Sequence, residues 1–203
     1  MENELAVLRV VRLKGRPATA DVAAAAGISE QEAESALTEL AGSGTLKEAN
    51  GRYMLDPSAK DRLAELLEEE RGQIDQDRLR SLYEEFDQHN TELKEIMHAW
   101  QLRDGEPNDH SDAEYDQGVV DRLATLHQNF APLADQVVEV VPRLQPYPQR
   151  FSSALEKVQE GDHSWIAKPI ADSYHTVWFE FHEELIEALG LSREAEAASG
   201  RAE

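Results

Sequence analysis

Two stretches of this chain gather the residue types that do chemistry. The first is Asn108-Asp109-His110-Ser111-Asp112-Ala113-Glu114-Tyr115-Asp116, with three Asp, one Glu and one His in nine positions. The second is Asp172-Ser173-Tyr174-His175-Thr176-Val177-Trp178-Phe179-Glu180-Phe181-His182-Glu183. In it Asp172, His175, Phe179 and His182 stand at i, i+3, i+7 and i+10, one face of a helix. Imidazole beside carboxylate suits a transition-metal ion or a small polar ligand. If the two stretches meet, His110, Tyr115, Asp116, Asp172, His175, Trp178 and His182 form a candidate ligand site in partly apolar surroundings. The metal stays unknown. His175 and His182 are seven apart and lack the spacing that puts two rings on one ion from adjacent turns. The first stretch also lacks the glycine and terminal glutamate of a calcium loop. A structural alternative stands beside the ligand site: Asp109 and Asp112 cap a helix start, and the histidines are hydrogen-bonded members of a helical core.

The rest of the chain argues against catalysis. There is no cysteine, which excludes disulfides, thiolate metal sites and cysteine nucleophiles. No nucleophile elbow or phosphate loop occurs, and Gly42-Ser43-Gly44 lies between a helix and a strand, the wrong place for a dinucleotide fingerprint. Trp100, Trp165 and Trp178 are not interleaved with basic residues, as a base-stacking platform would require. A non-enzyme without a cofactor is expected. The acidic start Met1-Glu2-Asn3-Glu4 resembles no signal peptide. No apolar run approaches the roughly 20 residues of a membrane span. A cytoplasmic protein that does not enter membranes is therefore expected.

The elements that must position these residues are helical, with one hairpin. Leu5, Leu8, Val11 and Leu13 give an apolar helical stripe ended by Gly15-Arg16-Pro17. Thr19–Ala26 reads as a short helix capped by Thr19 and stopped at Gly27. Ser29 and Glu32 form a capping box for the next helix, which buries Ala33, Ala36, Leu37 and Leu40. Leu46–Leu55 then reads strand, turn, strand about Asn50-Gly51. Helix, helix, turn, helix, hairpin within about 55 residues is the winged helix-turn-helix order. This segment resembles the MarR-like bacterial regulators.

The pattern predicts a mainly α protein with two domains: a winged helix-turn-helix over residues 1–57 and an antiparallel helical bundle over 58–203. In the bundle, helices are predicted over Ala59–Arg71, behind a cap at Asp56, over Asp75–Leu102 and over Asp112–Phe130, the last broken or restarted at Pro132. Further helices cover Phe151–Glu160 and the stretch from Pro169 to Leu189, with Ser192 capping a last short one. Trp100-Gln101-Leu102-Arg103, Asn108-Asp109-His110, Tyr115-Asp116, Pro142-Arg143-Leu144, Tyr147, Arg150-Phe151 and Asp172–Leu185 resemble a helical module of actinobacterial proteins. That module follows a winged helix and is associated with phosphoenolpyruvate-utilising phosphotransferases. The resemblance spans about residues 58–202. It implies a context and assigns no catalytic residue, because the phosphotransferase's own catalytic histidine loop has no counterpart here.

Charge sets the functional question. The chain has a formal net charge of −21. Its first 57 residues carry 6 basic and 9 acidic side chains, and the recognition helix opens Ser29-Glu30-Gln31-Glu32-Ala33-Glu34. DNA phosphates repel such a surface, and nucleic-acid binders usually show a basic face. A winged-helix transcriptional regulator would anchor DNA through Arg12, Lys14, Arg16, Lys47 and Arg52. It would read bases with Ser29, Gln31, Ser35 and Thr38. Such a regulator would be a homodimer, with the helical domain sensing a small-molecule effector. The alternative is an accessory subunit whose acidic winged helix docks on a partner protein.

Overall fold

The computed structural model describes residues 3–198. It is mainly α-helical with two small β-ladders. The chain forms two compact units. One runs to Ile74 and takes in Arg143–Pro146; the other comprises Asp75–Pro142 and the chain from Tyr147 onward.

The first unit contains α1 (Glu4–Lys14), α2 (Thr19–Ala26), α3 (Glu30–Gly42), β1 (Leu46–Ala49), β2 (Arg52–Leu55) and α4 (Ala59–Arg71). Ser29 caps α3 as expected. Its Oγ accepts from Glu32 N at 3.2 Å, and Glu32 Oε2 accepts from Ser29 N at 2.8 Å. Asn50 and Gly51 have φ of 55° and 71°, so both turn positions are left-handed, as a two-residue hairpin requires. Antiparallel β1 and β2 pair Leu46 with Leu55 and Ala49 with Arg52. A bridge joins Ala18 to Arg52, and Tyr53 N donates to Pro17 O at 3.0 Å, tying the hairpin to the turn before α2.

Three expectations need correction here. Thr19 does not cap α2. Ala18 holds that position, and Asp21 reaches back to accept from Ala18 N at 2.9 Å. Asp56 does not cap α4 directly. Its carboxylate accepts from Ser58 N and Ser58 Oγ, and the helix begins at Ala59. The boundary after residue 57 also moves, because Leu63 and Leu67 of α4 join the core formed by Val7, Leu8, Val22, Ala33 and Leu37. Arg62 adds a two-pronged grip on Glu4, at 2.8 and 2.9 Å, which holds the Glu4 carboxyl below its usual range. Arg143 grips Glu70 of α4 the same way, bringing Arg143–Pro146 into the unit.

The second unit contains α5 (Gln76–Gln101), β3 (Leu102–Arg103), β4 (Glu106–Pro107), α6 (Ala113–Val140), most of α7 (Pro146–Gln159), α8 (Tyr174–Ala188) and α9 (Arg193–Ala198). α5 and α6 are antiparallel neighbours. Arg78 bonds Gln136, Arg122 lies 3.9 Å from Glu95, and Tyr115 Oη donates to Ala99 O at 3.0 Å. Between them β3 and β4 form a hairpin where a plain loop is expected. Asp104 and Gly105, at φ 52° and 84°, make its turn. α6 runs unbroken through Pro132. Proline removes one helical hydrogen bond, but Phe130, Leu133, Ala134 and Val137 continue one buried stripe across it. α7 begins earlier than expected, with Pro146 and Pro148 in its first turn, where a missing N–H costs little. α8 begins later, at Tyr174. Ile170, at φ 62°, cannot be helical, and Ser173 caps instead by accepting from Thr176 N at 3.4 Å.

Gly27 ends α2 at φ 66°, and a Cβ there would sit 2.7 Å from Pro146 Cγ. Gly15 has a similar φ of 74° with no atom near the added carbon. Gly15→Ala should therefore cost about 1 kcal/mol from backbone strain alone. Gly27→Ala should cost about 1–3 kcal/mol more, from overpacking against the proline ring. Urea denaturation of both variants measures the difference, and equal costs would rule out that close approach.

Candidate functional site

The residues expected to share one site are distributed over three separate networks of the second unit. At the start of α6, Asp112 caps the helix by accepting from Glu114 N and Tyr115 N. These backbone bonds, with Arg103 at 2.9 Å, hold the Asp112 carboxyl below its usual range. Asp116, one turn later, is buried. It accepts from Asn108 Nδ2 at 2.9 Å and lies 3.0 Å from His110 Nδ1. The His110 ring packs tilted against Trp100 with ring centroids 4.2 Å apart, and Arg103 lies over the Tyr115 ring. His110, Tyr115 and Asp116 thus fasten the α5–α6 connection.

Asp172 belongs to a second network. It precedes α8, so it does not continue the helical face of His175 and His182. Its carboxylate accepts from Arg150 Nε at 2.9 Å and Nη2 at 3.2 Å. Arg150 Nη2 also donates to Glu180 at 2.5 Å. Arg150 and Glu180 are buried. Burial opposes the Arg150 charge, but the two carboxylates and the nearby Tyr147 outweigh it and raise its pKa.

The third network holds His175, Trp178 and His182. They line a cavity of about 250 Å³ with Asn90, Leu93, Lys94, Met97, His98 and Gln101 of α5, Phe179 of α8 and Arg193 of α9. Trp178 is shared with the aromatic core, 5.1 Å from Phe86 and 4.5 Å from Phe130 between centroids. Its indole N–H donates to buried Asn90 Oδ1 at 3.0 Å. Tyr83 Oη donates to Glu196 Oε2 at 2.8 Å and lies 3.0 Å from His182 Nε2. A phenol has one proton, so with that proton on the carboxylate His182 Nε2–H must be the donor to Tyr83. Arg193 pairs with Glu183 and lies 4.7 Å above the Phe179 ring.

Most of the α5 wall was readable in principle. Asn90, Leu93, Lys94, Met97, His98 and Gln101 recur at i, i+3, i+4, i+7, i+8 and i+11, one helical face. The apolar members of that face read as core and hid the polar ones. Among the described residues no three His, Asp or Glu side chains gather as a metal site.

The candidate DNA contacts lie in the first unit. Gln31, Ser35 and Thr38 are exposed on α3 beside exposed Glu30, Glu34 and Glu39, and α3 carries no Lys or Arg. The Ser29 hydroxyl donates to Glu32 at 2.6 Å. Lys47 is 2.6 Å from Asp56, whose carboxyl it holds below the usual range. Arg52 Nη1 donates to Arg16 O at 2.9 Å. Arg12 and Arg16 are exposed, and Lys14 is half-buried. No helix among the described residues is long and apolar enough to cross a membrane. Comparison with known proteins finds no matching family model, no matching curated protein and no matching solved structure.

Burial, and then Lys94 and Arg193, push the His182 pKa down to about 4 from an ordinary 6.5. The unfolded chain therefore binds more protons between these values. The contribution of neutral His182 is complete above pH 6.5 and is lost as pH falls toward 4, by on the order of 3 kcal/mol. His182→Gln should flatten the pH dependence of urea stability in that window, and an unchanged slope would show that His182 is protonated in the fold. In the second network, Glu180→Ala should cost about 3–5 kcal/mol by leaving Arg150 buried beside one carboxylate. Asp172→Ala should cost less, because its side chain is 35% exposed. Chemical denaturation of both variants checks the order.

Proposed function

We propose that the chain is a non-catalytic binding protein whose first unit is a winged helix that docks through α3 onto a basic surface of a partner protein. The element order supports the winged helix. So does the Ala18–Arg52 bridge, which ties the hairpin back to the turn between α1 and α2 as a wing is tied. The resemblance to MarR-like regulators agrees with that order. Folds host many functions, so the surface decides the partner.

The carrying observation is the outward face of α3. It presents Glu30, Gln31, Glu34, Ser35, Thr38 and Glu39 with no cation among them. Around it, Lys47 is matched by Asp56, and Arg52 is turned to a backbone carbonyl. Phosphates approaching this face would be repelled, and lysines or arginines of a protein attracted. The resemblance of residues 58–202 to a module associated with phosphoenolpyruvate-utilising phosphotransferases suits an accessory subunit of this kind. The exposed Arg12 and Arg16 favour a second possibility, a dimeric transcriptional regulator that reads DNA with α3.

Fluorescence anisotropy separates the two. The chain is titrated against a duplex from its own upstream region and against a lysine-rich peptide, at low and physiological salt. The expected result is salt-sensitive binding of the peptide, lost in Glu30→Lys/Glu34→Lys, and no comparable binding of the duplex. Tight duplex binding that persists at physiological salt would overturn the docking proposal and favour the regulator.

A further inference from the structure

The geometry points to the cavity between α5, α8 and α9 as a binding site for a small organic anion with a flat apolar body. This site lies wholly in the second unit and does not depend on what α3 contacts. Its wall is chemically unlike the rest of the molecule. The chain carries 41 Asp and Glu against 20 Lys and Arg, yet no carboxylate stands among the eleven residues that line the cavity. Lys94 and Arg193 supply positive charge there, and His98, His175, Gln101 and Asn90 supply hydrogen-bonding groups.

Two carboxylates outside the lining are bonded to wall residues or to their partners. Glu183 accepts from Arg193, and Glu196 accepts from Tyr83. Each holds a wall residue in place, Arg193 directly and His182 through the Tyr83 hydroxyl. Lys94 and Arg193 are the two Lys or Arg residues among those that line the cavity. The Arg193 guanidinium, held over Phe179 while bonded to Glu183, has further N–H donors to offer a planar carboxylate.

The remaining wall selects the body of the ligand. Leu93, Met97, Trp178 and Phe179 are apolar, and two of the four are aromatic. Phe179 is 42% exposed and adds an accessible aromatic face to the cavity. Trp178 is fixed by its bond to Asn90 and by stacking on Phe86, so it forms a rigid flat surface. A volume of about 250 Å³ falls below the usual range for drug-sized ligands and suits a compact one. A few converging polar groups over an apolar floor are the general make-up of small-molecule sites.

The test uses the full chain with cinnamate, its neutral isostere cinnamamide, and inorganic phosphate as probes. Calorimetric titration and thermal melting are measured for each. Cinnamate should bind saturably and raise Tm, since a ligand of the folded state alone must stabilise it. Cinnamamide and phosphate should each bind at least tenfold more weakly. Lys94→Met should weaken cinnamate at least tenfold. Phe179→Ser, at an exposed position, should weaken cinnamate without changing the response to phosphate. Equal binding of cinnamate and cinnamamide, equal binding of cinnamate and phosphate, or no saturable cinnamate binding up to about 10 mM would each overturn the proposal. If Lys94→Met fails to fold, Lys94→Gln and the cinnamide comparison on the parent chain decide the same point.

Discussion

The second unit depends on one buried charge cluster. Arg150 enters from α7 and is met by Asp172, just before α8, and by Glu180, two turns inside it. Removing such charges from water is costly, and the cost is recovered only where the geometry satisfies every partner. Arg150 forks onto Asp172 and places a further donor on Glu180. This fixes where α8 starts and how it is rotated about its axis. The rotation sends Val177, Phe181 and Leu185 into the core and leaves His175, Trp178 and His182 facing α5. An apolar replacement of similar volume would hold α7 and α8 together as well, but it would not specify that rotation so narrowly.

The aromatic core follows from the same placement. Phe86, Phe130, Phe151, Trp178 and Phe181 meet edge to face or offset, with centroids 4.5 to 6.1 Å apart. Such contacts contribute beyond the area they bury. Trp178 belongs to this cluster and to the cavity at once. The packed interior therefore reaches the cavity wall directly through Trp178.

Local chemistry was legible in the sequence, and tertiary chemistry was not. Ser29 and Glu32 form their capping box from four adjacent residues, and Asn50-Gly51 makes its turn from two, so both could be read directly. Asp104-Gly105 carries the same turn signal and forms a second hairpin, but the polar residues around it masked two-residue strands. Pro132 is a local break signal that tertiary packing overrides, because packing on both sides of a proline can hold a helix together. Spacing alone puts Asp172 on the face of His175 and His182. Nothing local announced that Ile170 would turn left-handed or that Arg150, 22 residues earlier, would claim the carboxylate. The three networks look like one in sequence because they use the same residue types. Only the fold separates them.

The hairpin of the first unit has one covered margin and one open one. β2 is bordered on one side by β1 and on the other by the bridge to Ala18, whereas β1 pairs with β2 alone among the described strands. An unpaired strand margin invites another chain to add itself and begin a growing stack. β1 is a poor template for such growth. It is four residues long, and its two central positions are the exposed, oppositely charged Lys47 and Glu48. Any incoming strand would have to desolvate both and pull Lys47 away from Asp56. The exposed charges of Lys47 and Glu48 thus guard the sheet against self-association, so a hydrophobic substitution at either position would expose the protein to aggregation.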